Sequence, residues 1–227
     1  MPLNALNSSE FSPPGGPVPN GPLLAAEPPA TVTRLLVLAN AIVAILMGFA
    51  GSNAREALLF WGGLVPARLT LALEGQVPAL GAAATLFGHM FLHGGALHLV
   101  MNMVMLLAIG RSLEPELGPR RFLALYFLSG LAGGLAEWAW SPMSVVPAVG
   151  ASGAISGLVA AQAMLFGRSQ RSPLVQALGL GAAWVVLQVA AGAALAGPGM
   201  RIAIMAHIGG FVAGLALARP LGRRPAL

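Results

Sequence analysis

Four polar side chains lie in segments of this chain that are otherwise almost entirely apolar. Ser152 lies in GASGAISG, Gly150 to Gly157, and His207 directly precedes IGGFVAG. His98 and Asn102 are four residues apart and therefore share one face of a helix. A serine hydroxyl beside an imidazole forms a nucleophile–base pair, and an amide and a second imidazole are donors suited to a developing oxyanion. These residue types indicate serine-based acyl transfer.

Glycine pairs provide a way to bring the serine and the histidine together. Gly153 and Gly157 are four residues apart, and so are Gly210 and Gly214. Small residues at this spacing form a groove through which two membrane helices approach closely. Ser152 precedes the first groove by one residue and His207 precedes the second by three. A serine that opens a helix also lies beside unpaired backbone N–H groups, which favour negative charge.

The composition predicts an all-α, polytopic membrane protein. The chain of 227 residues is 57% hydrophobic and 8% charged, with a mean hydropathy of +0.81, whereas a soluble domain has about 25% charged residues. Apolar runs predict six transmembrane helices: Leu35–Ala50, Phe91–Gly110, Phe122–Trp140, Ser152–Phe166, Leu174–Leu195 and Ile202–Ala218. The net charge of +5 comes from arginines dispersed between these runs, so nucleic-acid binding is not expected.

Absent residue types exclude several chemistries. The sequence contains no cysteine and no aspartate. It therefore has no thiolate nucleophile, no catalytic aspartyl pair and no strict Ser-His-Asp triad. The HExxH motif of zinc proteases does not occur either.

Composition shifts divide the chain into three parts. Residues 1–30 hold 8 of the 18 prolines and are predicted to be a disordered cytoplasmic tail. Residues 31–220 form the membrane domain, and residues 221–227 form a short basic tail. Between the first two spans, Gly51 to Gly88 is apolar but interrupted by charge, glycine and proline, which predicts a long membrane-associated loop.

The arginines predict the orientation of the spans. Nine of the 12 arginines fall on one side of the predicted spans, so both termini are expected in the cytoplasm. The second, fourth and sixth helices then run inward. His98 and His207 are each expected roughly two turns into their helices, with Ser152 opening the short fourth helix. The three side chains are therefore predicted to converge in the outer half of the bilayer.

Simpler interpretations exist for each feature. Glycine pairs usually serve helix packing, a serine at a helix start is usually a cap, and His98 and Asn102 could form only interhelical hydrogen bonds. His89, His93 and His98 could form a metal or haem site in a transporter or metal-binding membrane protein. Their joint occurrence at one predicted depth favours the catalytic interpretation.

The ordered motifs resemble those of the rhomboid family of intramembrane serine proteases. GASGAISG resembles the family's GxSG serine motif, HMFLHGGALHLVMN its H-x4-H-x3-N signature, and AHIGGFVAG its last-helix histidine with G-x-x-x-G. The resemblance implies a six-helix bundle in a bacterial inner membrane that cleaves single-pass membrane proteins without metal or cofactor. It implies a Ser152–His207 dyad, with His98, Asn102 and the Ser152 amide as the oxyanion hole.

Further roles follow from the same resemblance. Gly150 would keep the turn before the serine open, His93 would be structural, and Glu114 would tie the cytoplasmic loop. The fifth helix and the LAGPGM loop after it would act as gate and cap for lateral access of substrate.

The chain departs from the family pattern at two places. Ala84 and Thr85 stand where many members have Trp-Arg. Ser156 stands where some members have an aromatic ring that stacks on the catalytic histidine. These departures concern the loop architecture and the efficiency of the reaction more than the reaction itself. The alternative function is a non-catalytic rhomboid-like binder of membrane helices, in which the polar cluster serves packing.

Overall fold

The computed structural model describes residues 29–166, 172–195 and 203–222. Helices joined by short connections make up the described chain: α1 Thr31–Phe49, α2 Gly51–Gly62, α3 Pro66–Leu73, α4 Ala79–Gly88, α5 Ala96–Leu117, α6 Pro119–Trp140, α7 Ser152–Phe166, α8 Pro173–Leu195 and α9 Ile204–Leu221. A 3₁₀ turn, His89–Phe91, follows α4. Nearly all of both predicted tails, and the LAGPGM loop beyond its first residue, lie outside the described residues.

Each of the six predicted apolar runs overlaps one helix, although several ends differ; these helices are α1, α5, α6, α7, α8 and α9. Four of these helices, α1, α5, α6 and α9, are long and apolar enough to cross a membrane. α7 has 15 residues, as expected from its sequence, and the apolar part of α8 spans Leu174–Ala190. The chain is an all-α, polytopic membrane protein.

Two helices begin later than the sequence predicts. α5 begins at Ala96 rather than Phe91 because Gly95 is fully extended, with φ −174° and ψ 169°, and interrupts the helix. α9 begins at Ile204. His98 and His207 therefore lie in the first turns of their helices, and the prediction of two turns was wrong. Ser152 is the first residue of α7, so all three lie at helix N-termini.

The predicted membrane-associated loop contains α2, α3 and α4. Leu64 and Ala148 exchange two backbone hydrogen bonds, of 3.0 and 2.8 Å, and the Ala67 N–H donates to the Ser144 carbonyl at 3.0 Å. These bonds attach the loop to the segment that leads into α7. Arg55 of α2 also donates to the Gly94 carbonyl at 2.7 Å, immediately before α5. The loop is thus bonded to the two chain segments that lead into α5 and α7.

α7 is the central helix of the bundle, and its first seven residues are all buried. The glycine grooves predicted from sequence lie against each other. A Cβ on Gly210 would collide with the Gly153 carbonyl, and a Cβ on Gly214 would collide with the Gly157 backbone. α6 packs against both helices at this contact: a Cβ on Gly133 would collide with the Ala206 carbonyl of α9, which also lies beside Gly153 of α7. Backbone-to-backbone contact of this kind is possible only with glycine.

Glu114 lies within α5 and caps the start of α1, rather than following its helix and tying a loop. Its carboxylate accepts hydrogen bonds from the Val32 and Thr33 N–H groups at 2.8 and 2.7 Å and from the Thr33 hydroxyl at 2.7 Å. The side chain is 2% exposed. A carboxylate at a helix N-terminus satisfies donors that have no intrahelical partner. This contact places the start of α1 beside the end of α5, at the opposite end of α5 from His98.

Candidate active site

Ser152 and His207 form a hydrogen-bonded pair. The Ser152 hydroxyl oxygen lies 2.8 Å from Nε2 of His207, and both residues are buried. Ser152 begins α7, and His207 occupies the first turn of α9. The distance is that of a good hydrogen bond between a nucleophile and its base.

Close helix contact explains why the pair meets. The Ala206 carbonyl, one residue before His207, lies 3.2 Å from the position that a Cβ on Gly153 would occupy. Gly153 is itself one residue after Ser152. The backbones of α7 and α9 are therefore in contact at Gly153 and Ala206. This contact places the Ser152 hydroxyl and the His207 imidazole at the same height along the two helices.

Gly150 opens the space beside the hydroxyl. Its φ of 123° is one that residues with a side chain rarely adopt, and its N–H donates to the His89 carbonyl at 2.9 Å. A Cβ on Gly150 would lie 2.8 Å from Nε2 of His98 and 3.6 Å from the Ser152 hydroxyl. His98 and Ser152 thus border the same small space, which only glycine leaves free.

Asn102 lies one turn after His98 on α5. Its amide nitrogen donates to the His98 carbonyl at 2.8 Å, and the side chain is 2% exposed. The amide oxygen has no hydrogen-bond partner among the described residues. Because a carboxamide carries two N–H donors, this bond orients the group and leaves one N–H for another acceptor.

His93 lies before α5, against His98. The two ring centroids are 5.1 Å apart with an edge-on geometry. Burial, followed by the nearby His98, lowers the pKa of His93 to about 3, so the ring is neutral at physiological pH. Its contact with the His98 ring is consistent with a structural role. Among the described residues, no three His, Cys, Asp or Glu side chains are grouped as a metal site would need.

Two contacts from α8 were not predicted from the sequence. The amide nitrogen of Gln188 lies 3.5 Å from Nε2 of His207. One turn earlier, Trp184 donates its indole N–H to the Ser156 hydroxyl at 2.8 Å, and Ser156 donates to the Ser152 carbonyl at 2.7 Å. The sequence does show a glutamine within an apolar helix. Such a residue indicates a polar contact with another helix, since polar groups in membrane helices usually have a partner. Nothing in the sequence identifies that partner.

Comparison with known proteins places these features in a family. Residues 80–224, which include every residue of the site, match the family model for the rhomboid domain. The chain belongs to the rhomboid family. It is 29% identical over 194 residues to the Rhomboid protease GluP of Bacillus subtilis, covering 85% of this chain and 35% of that one.

This rhomboid is also similar to proteins of Arabidopsis thaliana and Toxoplasma gondii. It is 39% identical over 107 residues to RHOMBOID-like protein 5 of Arabidopsis thaliana, covering 47% of this chain and 35% of that protein. It is 32% identical over 133 residues to Rhomboid-like protease 3 of Toxoplasma gondii, covering 56% of this chain and 48% of that protein. The chain thus spans less than half the length of these curated relatives.

Proposed function

We propose that this rhomboid is an intramembrane serine endopeptidase that hydrolyses peptide bonds in or near the transmembrane helix of single-pass membrane proteins. The observation that carries the proposal is the 2.8 Å hydrogen bond between the Ser152 hydroxyl and Nε2 of His207. The match to the rhomboid domain and the similarity to GluP support it.

The first half of the reaction forms an acyl-enzyme. The Ser152 oxygen attacks the substrate carbonyl carbon while its proton moves to Nε2 of His207. The resulting imidazolium then gives this proton to the amide nitrogen, the C–N bond breaks, and the new amino terminus leaves. The other fragment remains bound to Ser152 as an ester.

The negative charge that develops on the substrate oxygen needs donors. The space over Gly150, bordered by His98 and the Ser152 hydroxyl, is where that oxygen would lie. The His98 ring, the remaining Asn102 N–H and the Ser152 backbone amide are the donors assigned to it. One donor of this kind typically lowers the barrier by about 2.7–4 kcal/mol.

Water completes the reaction. His207 takes a proton from a water molecule, the resulting hydroxide attacks the ester, and the Ser152 oxygen leaves with the proton from His207. Water must therefore reach a buried site. Nδ1 of His207 has no hydrogen-bond partner among the described residues, and a water molecule at this atom would satisfy it.

The arginines support an orientation with both termini in the cytoplasm, and the bacterial inner membrane is proposed from the family resemblance alone. Glu114 joins the start of α1 to the end of α5, and Arg121, at the start of α6, donates to the Leu221 and Gly222 carbonyls at the end of α9. Arg34, Arg111 and Arg219 lie near the same end of the bundle. The positive-inside rule assigns this end to the cytoplasm, and the candidate site then lies toward the outer surface.

The proposal is tested with the full chain in liposomes. A fluorophosphonate probe should label the wild type, and a model single-pass substrate should give two fragments whose masses identify the cleaved bond. Ser152→Ala should abolish labelling and cleavage, and His207→Ala should abolish cleavage with the fold intact, as checked by thermal unfolding.

Two other outcomes would contradict the proposal. A folded wild type that neither labels nor cleaves, yet retains single-pass helices in pull-down, would be a non-catalytic binder. Purified protein that retains a chelator-sensitive metal and does not label would favour a histidine-based metal site.

A further inference from the structure

We propose that Gln188 of α8 is a positioning residue that orients the imidazole of His207 and stabilises its protonated form. The inference rests on the proposed function. Its starting observation is that the Gln188 amide nitrogen lies 3.5 Å from Nε2 of His207, the same nitrogen that bonds Ser152. This separation is at the long limit of a hydrogen bond.

The surroundings of His207 leave its ring orientation dependent on few contacts. Its other ring nitrogen, Nδ1, has no hydrogen-bond partner among the described residues. Ser156 supplies no aromatic ring, and its hydroxyl is engaged with Trp184 and the Ser152 carbonyl. Among the described residues, Ser152 and Gln188 are the side chains that lie within hydrogen-bond distance of the His207 ring.

A carboxamide suits both protonation states of the base. Before attack, neutral Nε2 is an acceptor, and the Gln188 N–H can share it with the serine proton. After attack, Nε2–H is a donor, and the Gln188 oxygen can accept from it once the amide turns over. The NH₂ group and the oxygen of a carboxamide are similar in size. They therefore exchange places when the amide rotates about the bond that joins it to the rest of the side chain. A stacked ring would orient the imidazole without this second ability.

The geometry of α8 makes the contact specific. Trp184 and Gln188 are four residues apart, so they share one helical face. Trp184 reaches the Ser156 hydroxyl beside the nucleophile, while Gln188 reaches the base. Other α8 side chains, such as Leu180 and Leu187, are exposed and apolar. The two polar contacts thus fix the position of α8 relative to Ser152 and His207.

The decisive variant is Gln188→Met, which keeps the length of the side chain and removes its hydrogen bonds. We expect kcat for cleavage of the model substrate in liposomes to fall about tenfold to a hundredfold, with KM within about threefold of wild type, because the base is misplaced while substrate docking is kept. The rate of fluorophosphonate labelling should fall with kcat. Gln176→Met, a matched change near the start of α8, should leave both rates unchanged.

The outcomes separate this inference from the proposed function. A wild type that labels and cleaves, with Gln188→Met equal to it, overturns the role of Gln188 alone. A rise in KM at unchanged kcat makes Gln188 a substrate contact and also overturns it. A wild type that neither labels nor cleaves contradicts the proposed function, and the role of Gln188 falls with it. Gln188→Met could also lower the thermal unfolding temperature. In that case Gln188→Asn is the second variant, because it keeps the amide but shortens the side chain by one methylene. The inference then requires that Gln188→Asn is folded and shows the same loss of kcat.

Discussion

The imidazole of His98 lies so close to Gly150 that residue 150 has no room for a side chain. A Cβ there would lie 2.8 Å from both Nε2 and Cε1 of that ring. Backbone conformation adds to this constraint, since Gly150 has a φ of 123°. A residue two positions before the serine thus sets both the space beside the hydroxyl and the distance to His98.

We expect Gly150→Ala to reduce cleavage at least about 100-fold, because the methyl group displaces His98 and strains the turn before Ser152. The loss is measured as kcat/KM in liposomes, together with the rate of fluorophosphonate labelling. Gly81→Ala is the control, since a Cβ on this α4 residue has no neighbour within 4 Å. Normal activity in Gly150→Ala would show that the space over residue 150 is not where the substrate carbonyl reacts.

Asn102→Ala should lower kcat by about 100-fold, and by less than Ser152→Ala, because other oxyanion donors remain. Single-turnover cleavage separates this effect from product release. Asn40→Ala is a matched control, since Asn40 is also buried and its amide donates to the Leu36 carbonyl, four residues back, at 2.8 Å. Equal losses in the two variants would point to a general packing defect rather than a role at the oxyanion.

Gly214→Ala should destabilise the bundle by about 1–3 kcal/mol, because the new methyl group meets the backbone of Gly157, which cannot rotate away. Thermal unfolding in detergent, followed by tryptophan fluorescence, measures the change. In Gly179→Ala the new Cβ has no neighbour within 4 Å, and stability should be unchanged or slightly higher. An unaltered unfolding temperature in Gly214→Ala would contradict backbone contact between α7 and α9.

Glu114→Gln should lower stability by about 2 kcal/mol and leave kcat unchanged below the unfolding temperature. The amide removes the charge from a group that accepts three hydrogen bonds, and hydrogen bonds to charged groups contribute about 1.5–3 kcal/mol each. The site lies at the other end of α5, so the chemistry should not change. Glu116→Gln, two residues along, is the control. A loss of kcat at full stability would show that the two ends of α5 are coupled.

The sequence predicted the bundle and the catalytic candidates through local rules. Apolar runs predict helices because a backbone in lipid must satisfy its own hydrogen bonds. Spacing predicts which side chains share a face, as for His98 and Asn102. Glycine pairs predicted that α7 and α9 pack closely, because only small residues permit it. The family membership confirms the resemblance, while the catalytic roles of Ser152 and His207 stay predictions.

Tertiary structure decided the contacts between elements that no local pattern specifies. The sequence shows Gln188 as a polar residue in an apolar helix and Glu114 in a charged segment, but it does not identify their partners, which are His207 on α9 and the start of α1. The prediction from sequence also placed His98 too far along its helix, because the extended Gly95 delays the start of α5 to Ala96. Periodicity fixes directions within one helix, whereas the neighbour that each face meets depends on how all the helices pack together. The 2.8 Å separation of Ser152 and His207 is a property of that packing.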